Sequence, residues 1–159
     1  SGKFSYGGIL YGKGISYSMI GVDSPSVKCT TFNANCTLIP MEIMKRVKNV
    51  DSYYKHSMGD FDLGFRISRG GNDIYVMPEY VGVCNDNPIE GSWQDRSLGI
   101  VKRIKLKEAF KGLPFKDWFH YLNRNFGFAT ACTLDFGVRA VYFYWMIRKC
   151  EKKSVPVQV

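Results

Sequence analysis

The run His56-Ser57-Met58-Gly59-Asp60-Phe61-Asp62-Leu63-Gly64-Phe65-Arg66 holds the residues best suited to chemistry. Asp60 and Asp62 stand two apart beside a glycine, and Arg66 follows Asp62 at helical spacing. A carboxylate fixed where a loop turns into a helix can take a proton from a hydroxyl. The amides and dipole of a helix start also favour an anion there. Plainer roles compete for the same side chains. Asp60 is placed to be a helix N-cap, and Asp62 is set for an i,i+4 ion pair with Arg66. His56, Asp60 and Asp62 have only faint metal-ligand spacing, and no second acidic cluster joins them to hold magnesium or manganese.

Other residues could contact a ligand. Asn33 and Asn35 flank Ala34 and could donate hydrogen bonds to a sugar or phosphate, or simply form a polar turn. Trp93, in Gly91-Ser92-Trp93-Gln94-Asp95-Arg96, could stack on a sugar ring or pin a long loop. Lys102, Arg103, Lys105 and Lys107 form a basic run, which is usually a solvated face.

These residues need elements to hold them. The first 25 residues, rich in Gly, Ser and Tyr, read as loops around one short strand near Ile15 to Ile20. Lys28 to Ile39 reads as a strand or strand pair. Pro40 is expected at the first position of a helix continued by Met41 to Val47. Gly59 to Arg69 carries both strand-like and helical spacing. An Asp near its start and Gly70-Gly71 at its end favour helix. Ile74 to Met77 reads as a strand, and Tyr80 to Cys84 as a second one. Asn85 to Leu98 reads as a long loop. Helices are expected over Ile100 to Phe110, Phe115 to Phe126 and about Leu134 to Lys149. The last should place Leu134, Val138, Val141, Tyr142, Trp145 and Met146 on one side. That side serves either core packing or shallow burial at a membrane surface, given the nearby Arg148, Lys149, Lys152 and Lys153.

The 159 residues are 45% apolar and 15% aromatic, enough for a packed core, and carry a net charge of +8. That balance suits anionic partners without choosing among them. The basic residues are dispersed, which argues against nucleic acid. The five cysteines, Cys29, Cys36, Cys84, Cys132 and Cys150, lack CxxC spacing and fit reduced thiols in a cytoplasmic setting. Cys29 and Cys36 are expected in core strands. No signal peptide is expected. Phe128 to Ile147 contains Asp135 and Arg139 and is marginal for a membrane span.

Several motifs in order resemble family 2 glycosyltransferases, of the inverting GT-A type, in particular a rhamnosyltransferase-like bacterial branch. They are Gly2-Lys3-Phe4-Ser5-Tyr6-Gly7-Gly8, Thr31-Phe32-Asn33-Ala34-Asn35-Cys36-Thr37-Leu38-Ile39-Pro40, His56 through Arg66, Ile74-Tyr75-Val76-Met77-Pro78, Gly82-Val83-Cys84, Asn87-Pro88, Gly91-Ser92-Trp93, Lys111-Gly112-Leu113-Pro114 and Trp118. The resemblance implies an α/β fold: the C-terminal part of a Rossmann-like GT-A domain, a short mixed sheet followed by helices. Residues 1–127 would form the acceptor-side half, and 128–159 an aromatic and basic helix with its tail. Asp60 would be the base that deprotonates the acceptor hydroxyl. Asn33, Asn35, His56, Asp62, Arg66 and Trp93 would bind or support substrate. The expected partners are a nucleotide-sugar donor and a saccharide or lipid-linked glycan acceptor. The C-terminal helix is expected to touch the inner face of a membrane. A divalent ion, magnesium or manganese, would belong to the complete enzyme. In the family, the nucleotide-binding strands and the Asp-x-Asp metal site lie in a preceding half. Without it, the alternative is a non-catalytic remnant or partner subunit. Open sheet edges would favour a homo-oligomer. Ala34 replaces the family's usual glycine, so a left-handed backbone there would be strained.

Overall fold

The computed structural model describes residues 6–22, 26–83 and 87–151, without the side chains of 142, 143 and 145–151. Among these residues the architecture is mixed α/β, with small sheets and five helices. The chain divides into two compact units, Ser1–Asn87 and Pro88–Val159. Gly2 to Ser5, Pro25, Cys84, Asn85 and the tail from Lys152 lie outside the described residues.

The first unit begins with an antiparallel hairpin, β1 (Gly7–Tyr11) and β2 (Tyr17–Ile20). Gly14 at its tip takes φ +67°, a left-handed turn that glycine adopts without strain. Then come β3 (Lys28–Cys29), β4 (Thr31–Asn33) and, later, β5 (Ile74–Tyr75). The strand order is β2-β1-β4 in one sheet, and β3 pairs with β5 in another. All of these pairings are antiparallel, where a mixed sheet was expected.

Strand β1 lies in the segment expected to be loop. Its glycines serve close approach instead. A Cβ on Gly8 would stand 2.1 Å from Cys29 Sγ and 2.8 Å from Val76 Cγ2, so only glycine lets these chains meet.

Helix α1 (Met41–Val47) starts one residue later than expected, with Pro40 as its N-cap. Helix α2 (Gly59–Arg69) confirms the helical reading of that ambiguous run. Its apolar face, Leu63 and Ile67, packs on Phe32 of β4, with Ile39, Ile43, Met44, Val47 and Ile74 around it. Cys29 is buried, but Cys36 is exposed, because β4 ends at Asn33 and the chain beyond turns to solvent. Tyr80 to Val83 forms no strand and is exposed.

The second unit contains α3 (Ile100–Glu108), α4 (Phe115–Phe126) and α5 (Phe128–Glu151). Helix α4 has the expected bounds. Helix α5 begins six residues earlier than expected, directly after Gly127. Its Thr133 hydroxyl donates to Ala129 O at 2.9 Å, one turn back, so the hydroxyl is satisfied within the helix. Tyr121, Leu122 and Ala131 are fully buried and form the centre of the α4–α5 packing. Trp118 stacks on Tyr121 at 5.7 Å. Val141 faces solvent rather than the side expected for it, while the side chains of Tyr142, Trp145 and Met146 lie outside the description. None of the described helices is long and apolar enough to cross a membrane.

Candidate functional site

Strand β4 and helix α2 touch closely enough to place Asp60. Thr31 is fully buried, and its hydroxyl donates to Phe61 O at 2.7 Å. One turn on, a Cβ at Gly64 would fall 2.1 Å from Thr31 Oγ1 and 2.9 Å from Thr31 Cα. The missing side chain lets the helix lie directly on the strand. Ser68 Oγ donates to Thr30 O and fixes the far end of the same contact.

This places the first turn of α2 beside the residues that follow β4. The Ala34 amide donates to Asp60 Oδ2 at 2.9 Å, and the Phe61 amide to Asp60 Oδ1 at 2.9 Å. Asp60 is half-buried, Asn33 is half-buried, and Ala34 and Asn35 are exposed. The Asn33-Ala34-Asn35 bend and Asp60, 26 residues apart in the chain, thus form one site.

Two expectations change here. Asp60 is not the N-cap of α2. That place belongs to Met58, in the left-handed region at φ 67°, with no side-chain cap bond. Asp60 sits in the first helical turn instead and spends its oxygens on amides. Ala34 carries no left-handed strain either. Among the described non-glycine residues, positive φ occurs at Lys48, Asn49 and Met58.

Asp62 and Arg66 pair as expected, Nε to Oδ2 at 2.9 Å, but their place is structural. Asp62 is fully buried, so its carboxylate cannot reach a substrate. Arg66 also donates to Val47 O and, at 2.7 Å, to Asn49 O. It thereby satisfies carbonyls left open where α1 ends in two left-handed residues, Lys48 and Asn49. The pair joins α1 to α2 and holds the helix that presents Asp60. His56 is exposed in the loop before α2. Trp93 belongs to the second unit. It is half-buried, and its carbonyl accepts from Arg103 Nε at 2.9 Å. Asp95 braces the same loop by accepting from Gly91 N at 2.8 Å and Ser97 Oγ at 2.6 Å. Its hydrogen bonds, chiefly that from the Ser97 hydroxyl, pull the Asp95 carboxyl below its usual range.

Three residues near the site were not singled out in the sequence. Tyr17, Tyr11 and Phe61 form a chain of rings. Tyr17 meets Phe61 edge-on at 6.3 Å and Tyr11 at 5.6 Å. Phe65 extends it, 5.1 Å from Tyr11. Tyr17 is 56% exposed, so the chain ends in an open aromatic face near the first turn of α2. The signal available was the Phe61/Phe65 helical spacing. Tyr11 was hidden in a segment expected to be loop, and Tyr17 in the short strand expected near Ile15 to Ile20.

Comparison with protein-family models, curated proteins and solved structures returns no match for this chain. Among the described residues, no group of three His, Cys, Asp or Glu side chains gathers as a metal site.

Proposed function

We propose that this chain is the acceptor-side portion of an inverting glycosyltransferase of GT-A type, with Asp60 as the catalytic base. The observation that supports it most is the meeting of Asp60 with the Asn33-Ala34-Asn35 bend through the Ala34 amide. A general base needs a fixed, partly exposed carboxylate within reach of a hydroxyl. Here, backbone donors hold the carboxylate while its half-buried position leaves a side open.

In this reading, Asp60 takes the proton of an acceptor hydroxyl. The oxygen then bonds to the anomeric carbon from the face opposite the nucleotide. The bond from that carbon to the diphosphate breaks, its electron pair leaves with the nucleotide, and configuration inverts. Asn33 and Asn35 orient donor or acceptor hydroxyls, His56 flanks the approach, and Tyr17 and Phe61 offer a ring face to a sugar. Asp62 and Arg66 position the helix, and a role for Trp93 would come from the second unit's loop. The nucleotide-sugar and its divalent ion, magnesium or manganese, would bind to a preceding half of the domain.

The test is transfer by the full-length protein from UDP-hexoses and dTDP-rhamnose, followed by nucleotide diphosphate release. Wild type should turn over, and Asp60→Asn should not. An Asp60→Asn protein with undiminished transfer removes Asp60 from this role. Wild type that neither binds nor cleaves these donors favours a non-catalytic partner subunit.

A further inference from the structure

Asp60 and the Tyr17 ring sit towards opposite corners of one face of the three-stranded sheet. In the ladders Asn33 stands opposite Gly7, and Tyr17 opposite Tyr11. Residues directly opposite share a face, so all four lie on the same one. With the order β2-β1-β4, Asn33 and Tyr17 are two strands and four residues apart, about 15 Å between backbones. The first turn of α2 reaches both corners. Asp60 turns to the Ala34 amide, beside Asn33, and the next residue, Phe61, turns to the Tyr17 ring at 6.3 Å. Successive helical side chains diverge by about 100°, so this turn can serve two places at once.

The Tyr17 ring is held in place yet open. It leans on Tyr11 at 5.6 Å and meets Phe61 edge-on, but stays 56% exposed. Met19, two residues on along β2, shares the face and is also exposed. A ring already fixed by two others loses little freedom when a ligand covers it. Charge gives no reason for an anionic occupant. Residues 1–87 hold 9 Lys and Arg against 8 Asp and Glu, a net +1.

We infer that the acceptor is an oligosaccharide spanning this diagonal, with its reacting sugar at Asp60 and a sugar further along its chain on the Tyr17 ring. This rests on the transferase reading and deepens it, because Tyr17 then selects for acceptor length. A single pyranose does not cover the distance between the corners. The C–H face of a sugar suits an open ring, and its hydroxyls suit the Asn33 and Asn35 amides. A lipid tail would gain from Tyr17 and Met19 but nothing from the two asparagines.

The test uses the full-length protein with UDP-hexoses and dTDP-rhamnose as donors. The acceptors are methyl glycosides, disaccharides and trisaccharides of rhamnose, glucose, galactose and mannose. Calorimetry reads binding of the same saccharides without donor. In the accepted series, kcat/KM should rise about tenfold from methyl glycoside to trisaccharide, chiefly through KM. Tyr17→Val, which suits a strand but has no ring, should bring that ratio close to one, and Tyr17→Phe should keep it. Equal kcat/KM for methyl glycosides and trisaccharides would overturn the inference. So would a Tyr17→Val protein that keeps its preference for long acceptors, or one that loses the same factor with every acceptor. These results leave the transferase reading standing, since wild type still turns over. Trisaccharide binding weakened about tenfold by Tyr17→Val, with no transfer from any donor, would support the spanning saccharide and sink the transferase reading. Neither binding nor transfer would overturn both.

Discussion

Ala34 N and Asp60 Oδ2 lie 2.9 Å apart, a single hydrogen bond that ties the end of a strand to the first turn of a helix. It gives the carboxylate one orientation before any ligand arrives, which is how a fixed base lowers the cost of reaching a transition state. Replacing Asp60 by Asn keeps an oxygen for Ala34, loses the acceptor of the Phe61 amide and removes the proton acceptor. We expect a stability loss of about 1–3 kcal/mol. In the full-length protein, transfer should fall by about 10²–10⁴-fold. Urea unfolding and nucleotide release measure the two separately.

Gly64 and Gly137 should respond in opposite ways to alanine. At Gly64 the new methyl meets Thr31 Oγ1 at 2.1 Å, and Thr31 is held by its own bond to Phe61. Overpacking there should cost about 1–3 kcal/mol. At Gly137, within α5, nothing stands within 4 Å. Alanine should stabilise that helix by about 0.5–1 kcal/mol. Denaturant melts of the two variants check both signs.

Arg66 forms an ion pair with the Asp62 carboxylate, which has no solvent exposure. Arg66→Leu should destabilise the first unit by about 3–5 kcal/mol, because it removes a cation that balances the buried Asp62 charge. Asp62→Leu combined with Arg66→Leu should cost less than Arg66→Leu alone. Arg66→Lys should recover little, since one ammonium cannot span Asp62, Val47 O and Asn49 O together. Thermal melts of the three variants decide this.

Lys107 gives the second unit a pH dependence. Its side chain is 4% exposed and donates to Leu113 O, and its ammonium sits 3.6 Å above the Phe115 ring. Burial pushes its pKa down, against the pull of Glu108. The folded state therefore binds fewer protons than the unfolded state, and stability rises as pH climbs from the folded pKa towards the unfolded value of 10.5. Lys28 acts in the opposite sense, because its hydrogen bond to Asp73 raises its pKa. The quantity to read is thus the difference between wild type and Lys107→Met. As pH rises towards the unfolded value of 10.5, wild type should gain stability that Lys107→Met does not.

The helices were the most legible part of the sequence. Phe115 to Phe126 is bracketed by Pro114 and Gly127, and the structure starts and stops the helix there. Gly59 to Arg69 was decided by Gly70-Gly71 at its end, although Asp60 proved not to cap its start. Strand β1 was illegible because glycine usually marks a turn. At Gly8 it marks a place where Cys29 and Val76 press against the backbone, which only the folded chain reveals. For the site, the pairing of Asp62 with Arg66 could be read from spacing alone. That Asp62 would be wholly enclosed, and that Arg66 would reach back to Val47 and Asn49, depended on how α1 ends. The ring chain from Phe65 to Tyr17 joins segments more than 40 residues apart, a distance that local periodicity does not bridge.

Among the described residues, strand β2 has only β1 beside it and keeps Tyr17, Ser18 and Met19 open to water. Among the described residues no strand pairs with its outer backbone donors and acceptors, and the first unit, at +1, has little charge to repel a newcomer. Concentrated protein should therefore gel or cloud by strand addition at this border before any other. A lysine in place of Met19 would be the economical way to keep it clear.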